Sequence, residues 1–64
     1  MRKIFFGNWA IHKICKNKWY LYYDFNGTRS IWYTIAEFRS YKKAKEAMLN
    51  IDTIIMKLTG RSTL

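Results

Sequence analysis

Apolar residues change their spacing at residue 40. Before it they come in short aromatic and β-branched stretches, and after it they recur every three or four positions. Tyr41, Ala44, Met48, Ile51, Ile55 and Leu58 fall on one stripe, widened by Ala47 and Ile54, which predicts an amphipathic helix over about 41–58. Ser40 stands where an N-cap hydroxyl belongs, and Gly60 where a C′ glycine would close the helix. Lys43 takes the third helical position, so this is not a capping box. Lys42, Lys43 and Lys45 oppose the helix dipole, at roughly a few tenths of a kcal/mol each. Such a cost is tolerated more readily where the lysines meet an anion.

The first part of the chain reads as strands. "NWAIHKICK" (8–16) alternates loosely, "KNK" (16–18) supplies a polar turn, and "WYLYYDF" (19–25) is strongly strand-favouring. Asn26-Gly27 is the strongest hairpin signal, because a type I′ turn needs positive φ at both central residues. "TRSIWYTIAEF" (28–38) is then the returning strand, and "IFF" (4–6) an apolar N-terminal stub. The expectation is an α+β fold, a three-stranded antiparallel sheet over about 8–38 packed against one C-terminal helix (β-β-β-α), in a single small domain, 1–64.

Alternation places Trp19, Leu21, Tyr23 and Phe25 toward the helix, with Tyr20, Tyr22 and Asp24 on the other side. In the returning strand, Trp32, Thr34, Ala36 and Phe38 oppose Ile31, Tyr33 and Ile35, and Phe38 is expected under the helix. Tyr20, Tyr22, Ile31, Tyr33 and Ile35 are then left without cover. The N-terminal stub could cover part of that face, with Phe5, Phe6 and Trp9 completing a second small core. A bulge in the last strand could also switch its parity.

Composition makes such a fold feasible. Sixty-four residues lie near the lower limit for unaided folding, but half are apolar and twelve are aromatic. A single cysteine excludes an internal disulfide. Twelve Lys or Arg against four Asp or Glu leave a charge of +8, which suits nucleic acid, an anionic membrane or an acidic protein. The basic, apolar start resembles a signal peptide, but Asn8, His12 and Lys13 interrupt it and no small-residue cleavage site follows. No stretch approaches the ~18 apolar residues of a membrane span. A cytoplasmic protein with no membrane partner is expected.

Catalytic and metal chemistry find little support. His12 and Cys15 have an His-x-x-Cys spacing, yet alternation sends them to opposite faces, and only Asp24, Glu37, Glu46 and Asp52 remain as further ligands. No carboxylate pair, no base for the cysteine and no phosphate-cradling glycine loop can be read. The expectation is no enzyme, no metal and no cofactor.

"KWYLYYDFNGTRS" followed by "FRSYKKAKEAM" resembles the AP2-like N-terminal, arm-type DNA-binding domain of tyrosine integrases from phages and conjugative elements. The resemblance rests on Lys18-Trp19, Gly27-Thr28-Arg29 and Phe38 through Ala44, and covers about residues 12–50. Ser40 replaces that family's common Thr, the sheet face is more aromatic than usual, and no recombinase domain accompanies it. The resemblance implies three strands and a helix whose sheet enters the DNA major groove, without integrase catalysis. By position it implies contacts from Lys13, Lys18, Tyr20, Tyr22, Arg29, Ser30 and Tyr33.

The residues read alone point the same way. Long cations at the sheet edges and helix start, including Lys16, Arg39, Lys42 and Lys43, can reach phosphates, and tyrosine hydroxyls can bond phosphate oxygens. Exposed rings can instead stack on unpaired bases. Double-stranded DNA is thus the expected partner, with single strands as the variant. The other reading is a small phage-type inhibitor or adaptor, docking its aromatic face on a host protein or nucleoprotein complex. The protein would act as a monomer or a weak homodimer through the sheet face.

Overall fold

The computed structural model describes residues 2–28 and 30–64. Four strands, β1 (Arg2–Phe6), β2 (Trp9–Cys15), β3 (Lys18–Tyr23) and β4 (Tyr33–Phe38), precede one helix, α1 (Tyr41–Thr59). The strands form one antiparallel meander in the order β1-β2-β3-β4, and α1 packs on β2, β3 and β4. The α+β class with a C-terminal helix is as expected. The sheet has four strands rather than three and starts at Arg2 instead of residue 8.

The extra strand is the N-terminal stub. It pairs with β2 in the plane of the sheet, and Phe6 stands opposite Trp9 across a two-residue Gly7-Asn8 connection. Gly7 has φ 55°, the first-position glycine that tight hairpins favour. The expected hairpin forms between β3 and β4, but without the tight turn at Asn26-Gly27: β3 ends at Tyr23 and β4 begins at Tyr33, so its connection is long. Gly27 has positive φ, but Asn17, in the β2–β3 turn, is the only described non-glycine that does, so Asn26 cannot complete a type I′ turn. Asp24 explains the departure. Expected to point outward, it is fully buried; its carboxylate accepts from Asn26 N at 3.2 Å, and its own N–H donates to Asn8 O at 2.9 Å. These bonds turn the chain out of the ladder after Tyr23.

Two bulges reset the alternation. Leu21 faces Ala36 but Tyr22 faces Thr34, so Ile35 is the extra residue in β4. Ala36 and Phe38 stay on the helix side, Thr34 joins Tyr22 on the open side, and Tyr33 crosses to the helix side opposite Tyr23. The second bulge makes Ile14 the extra residue in β2. It turns Cys15, opposite Lys18, to the side that carries His12, contrary to simple alternation.

Trp9, Ile11, Leu21, Ala44 and Met48 form the buried core, ringed by Phe6, Trp19, Tyr23, Phe38, Tyr41, Ala47, Ile51 and Ile55. Ser40 Oγ accepts from Lys43 N at 3.2 Å, and Gly60, left-handed, donates to Met56 O at 2.7 Å, so both helix caps lie where the sequence places them. Ile54 and Leu58 are exposed, although the stripe assigned them to the core. Phe25 lies against Tyr23 and Tyr33 but is 64 % exposed, not part of the core. Asp52 is buried instead.

Candidate nucleic-acid interface

The connectivity gathers one kind of charge at one end. β1 begins there, with Arg2 opposite Lys13; the β2–β3 turn lies there; and β4 ends there, with Phe38 opposite Trp19. The helix starts at the same end, where the Tyr41 ring lies 5.5 Å from that of Trp19. Arg2, Lys3, Lys13, Lys16, Lys18, Arg39, Lys42 and Lys43 therefore share this end: eight of the twelve cations. Glu37, opposite Tyr20, is the acidic residue of this part of the sheet. Arg2, Lys13, Ile14 and Cys15 line an open depression at this end.

The sheet side away from the helix continues this surface. One cross-strand row holds Lys3, His12, Tyr20 and Glu37, and the next holds Phe5, Ala10, Tyr22 and Thr34. The ammonium of Lys3 lies 5.5 Å from the centre of the Tyr22 ring, and that of Lys18 lies 5.9 Å from Tyr20. The two tyrosines meet edge-on at 76°. Farther along, Trp32 reaches Phe5 at 5.7 Å, and Ala10, small and in register between Phe5 and Tyr22, is fully shielded. Part of the open face is therefore closed by rings, but by Phe5 and Trp32. Phe6 and Trp9, assigned to such a cover by the sequence, belong to the helix side.

Burial raises the Tyr22 hydroxyl above its ordinary value, and neighbouring Tyr20 adds to the effect, so this phenol stays a neutral donor and acceptor.

The expected contact residues divide into three groups. Lys16, Lys18, Tyr20, Tyr22, Arg39, Lys42 and Lys43 come together at the basic end or on the adjoining open face. Lys13 joins them from the helix side, its ammonium 5.7 Å from the Trp19 ring. Ser30 and Tyr33 do not: Ser30 lies in the 24–32 connection, bonded to Thr28 at 2.6 Å, and Tyr33 begins β4 at the opposite end, against Phe25. Arg29 lies outside the described residues. Arg2 and Lys3 were missed, since the sheet was expected to start at about residue 8, with 4–6 only an apolar stub. Gly7-Asn8 between two apolar runs was the signal that they form a strand.

The opposite end closes on itself. The buried Asp52 carboxylate accepts from Thr63 N and Thr63 Oγ1, both at 2.7 Å, and from Ser62 Oγ at 3.0 Å. Thr63 Oγ1 in turn accepts from Trp9 Nε1 at 2.7 Å, and Thr63 O from Asn8 N at 2.9 Å. Residues 62–64 are thus latched over the β1–β2 connection. The bonds from Thr63, with help from Ser62, hold the Asp52 carboxyl below its ordinary value against the opposing effect of burial.

Among the described residues, no three His, Cys, Asp or Glu side chains come together to hold a metal. No described helix is long and apolar enough to cross a membrane. No family model, curated protein or solved structure matches the chain.

Proposed function

We propose that the protein binds nucleic acid, with double-stranded DNA as its main ligand, through the basic end and the adjoining open sheet face. One observation carries this reading: eight cations converge on one end of a 64-residue chain, beside two half-buried tyrosines of the open face and a single sheet carboxylate. Concentrated charge of this kind suits a polyphosphate more than a need for solubility, which dispersed charge serves equally well.

The surroundings of the tyrosines favour a duplex over unpaired bases. Base stacking needs free, flat ring faces. Here Lys3 lies over Tyr22, Lys18 lies over Tyr20, and the two rings are edge-on to each other. Their hydroxyls and the two ammonium groups are better disposed to phosphate oxygens. The β2–β3 hairpin, with Lys13, Lys16 and Lys18 around its turn, has the two-stranded form that a major groove admits. The likeness of residues 12–50 to AP2-like arm domains supports the same docking, with one strand more than that pattern has. The chemistry asks nothing of a cofactor and includes no reaction.

The test is binding of a labelled random duplex and its single strand between about 50 and 200 mM salt. The expected result is duplex preference, with a log–log slope of roughly −4 or steeper, since each phosphate contact contributes about −0.9. Weak binding with a flat salt dependence would contradict the proposal.

A second reading has its own support. Phe25, Ile31, Tyr33 and Ile35 are all exposed near the start of β4, away from the basic end. An adaptor or inhibitor of a host protein or nucleoprotein complex would use this patch. Tyr33→Ser with Ile35→Ser should then leave duplex affinity unchanged.

A further inference from the structure

One ionisable group on the open face has no part in the reading above. His12 lies in register between Lys3 of β1 and Tyr20 of β3. Its Nδ1 is 3.3 Å from the Tyr22 hydroxyl, and the two rings are 6.0 Å apart. The Lys3 ammonium lies 5.5 Å from the centre of that same ring. Two basic groups therefore converge on one phenol. β3 adds Lys18 over Tyr20, and β4 adds Glu37, beyond Tyr20 in the same row.

This setting disfavours the charged form of the free imidazole. Burial disfavours its charged form most, then Lys3, and the amino terminus acts in the same direction, so it protonates below the ordinary 6.5. A phosphate reverses the balance. Its charge offsets that of Lys3, and its oxygen offers Nε2 an acceptor for a charge-assisted bond. Nδ1 already has the Tyr22 hydroxyl beside it, so an imidazolium here would find a partner on each side.

We infer that His12 is a phosphate contact of the nucleic-acid site, and that it takes up one proton from solvent as the ligand binds. The inference rests on the nucleic-acid reading and adds a residue and a proton to it. Lysine and arginine stay charged from pH 6 to 8, so contacts from them alone would bind without this dependence. Linkage fixes the sign: affinity is highest in acid and falls as pH rises between the free and the bound pKa of His12. The limit is about tenfold per pH unit for one proton.

The experiment measures duplex affinity from pH 5.5 to 8 at constant salt, for the full chain and for His12→Gln. The wild type should weaken by roughly three- to tenfold per unit over part of this range, and the variant should stay nearly flat. Every other titrating group is the same in both proteins, so it cannot produce the difference. His12 is the single histidine, so its ring proton signals report its titration in the wild type even if the variant folds poorly. They should move to higher pKa on adding duplex. Equal pH profiles for two folded proteins that bind, or an unmoved histidine, would overturn the inference and leave nucleic-acid binding standing. No binding at any pH would overturn both.

Discussion

The two ends of this molecule treat polar groups in opposite ways. At the end with the β1–β2 connection, each buried carboxylate is answered locally: Asp24 by Asn26 N, and Asp52 by Ser62 and Thr63. At the other end, eight cations stand around one sheet carboxylate, and lysines rest on aromatic rings. The first arrangement stabilises the fold, because buried acceptors left unmet would each cost about 1–3 kcal/mol. The second costs self-repulsion and is relieved only by an external anion. On the proposed reading, polar groups at one end serve stability, and at the other a ligand. Perturbing one end should leave the property of the other intact.

The largest effect should come from the core that both ends share. Leu21→Ala removes a fully buried side chain and should cost about 3–5 kcal/mol, comparable to the whole stability of so small a domain. Denaturant unfolding would detect it, and binding should be lost with the fold. Gly7→Ala comes next and acts at the latched end alone. Its Cβ would lie 2.5 Å from Thr63 O and Leu64 C, at a φ of 55° that disfavours side chains. Stability should fall by roughly 1–3 kcal/mol, while duplex affinity at a temperature where the variant is folded should hardly change.

Acid should open the same end more gently. Asp52 titrates below its ordinary 3.8 in the folded chain. Its contribution is therefore present above that value and lost as pH falls through the folded pKa. Thermal unfolding of the wild type should show this loss below about pH 4, and Asp52→Asn should remove that part of the pH dependence. The smallest effect should come from Gly27→Ala. Its φ is 69° but a Cβ there meets nothing within 4 Å, so about 1 kcal/mol is expected and no change in binding. A larger loss would mean that Asn26-Gly27 shapes the β3–β4 register after all.

Local signals were legible in the sequence, and long-range ones were not. The helix and both caps could be read because Ser40, Gly60 and the three-four spacing act within a few residues. The strand character of 9–15 and the inward set Trp19, Leu21 and Tyr23 followed from alternation. Asn26-Gly27 misled because Asp24 is tied to Asn8, sixteen positions earlier, and no local rule carries that bond. A bulge in the last strand was open from the sequence. Neither its place at Ile35 nor the bulge at Ile14 has a composition signature, so the sides of Tyr33 and Cys15 were not fixed. Thr63, held by Asp52, reaches across the fold to Asn8 and Trp9, and the helical stripe gave no reason to bury a carboxylate. The cations of the site were named in part. Arg2 and Lys3 were lost with the missing strand. Ser30 and Tyr33 were named by position from the resemblance, and for Tyr33 also from an alternation that the Ile35 bulge breaks.

Paired charge reversals at the two ends test the central claim most directly. Lys16→Glu with Lys43→Glu changes the basic end, and Lys57→Glu with Arg61→Glu makes the same change in net charge on the last helical turn and the tail. Duplex affinity and its salt slope would be measured for both at one salt concentration, with unfolding curves to confirm intact folds. The first pair should weaken binding at least about tenfold and flatten the slope by roughly two contacts, and the second far less. Equal losses from both pairs would mean that net charge alone holds the nucleic acid and that the basic end is no site.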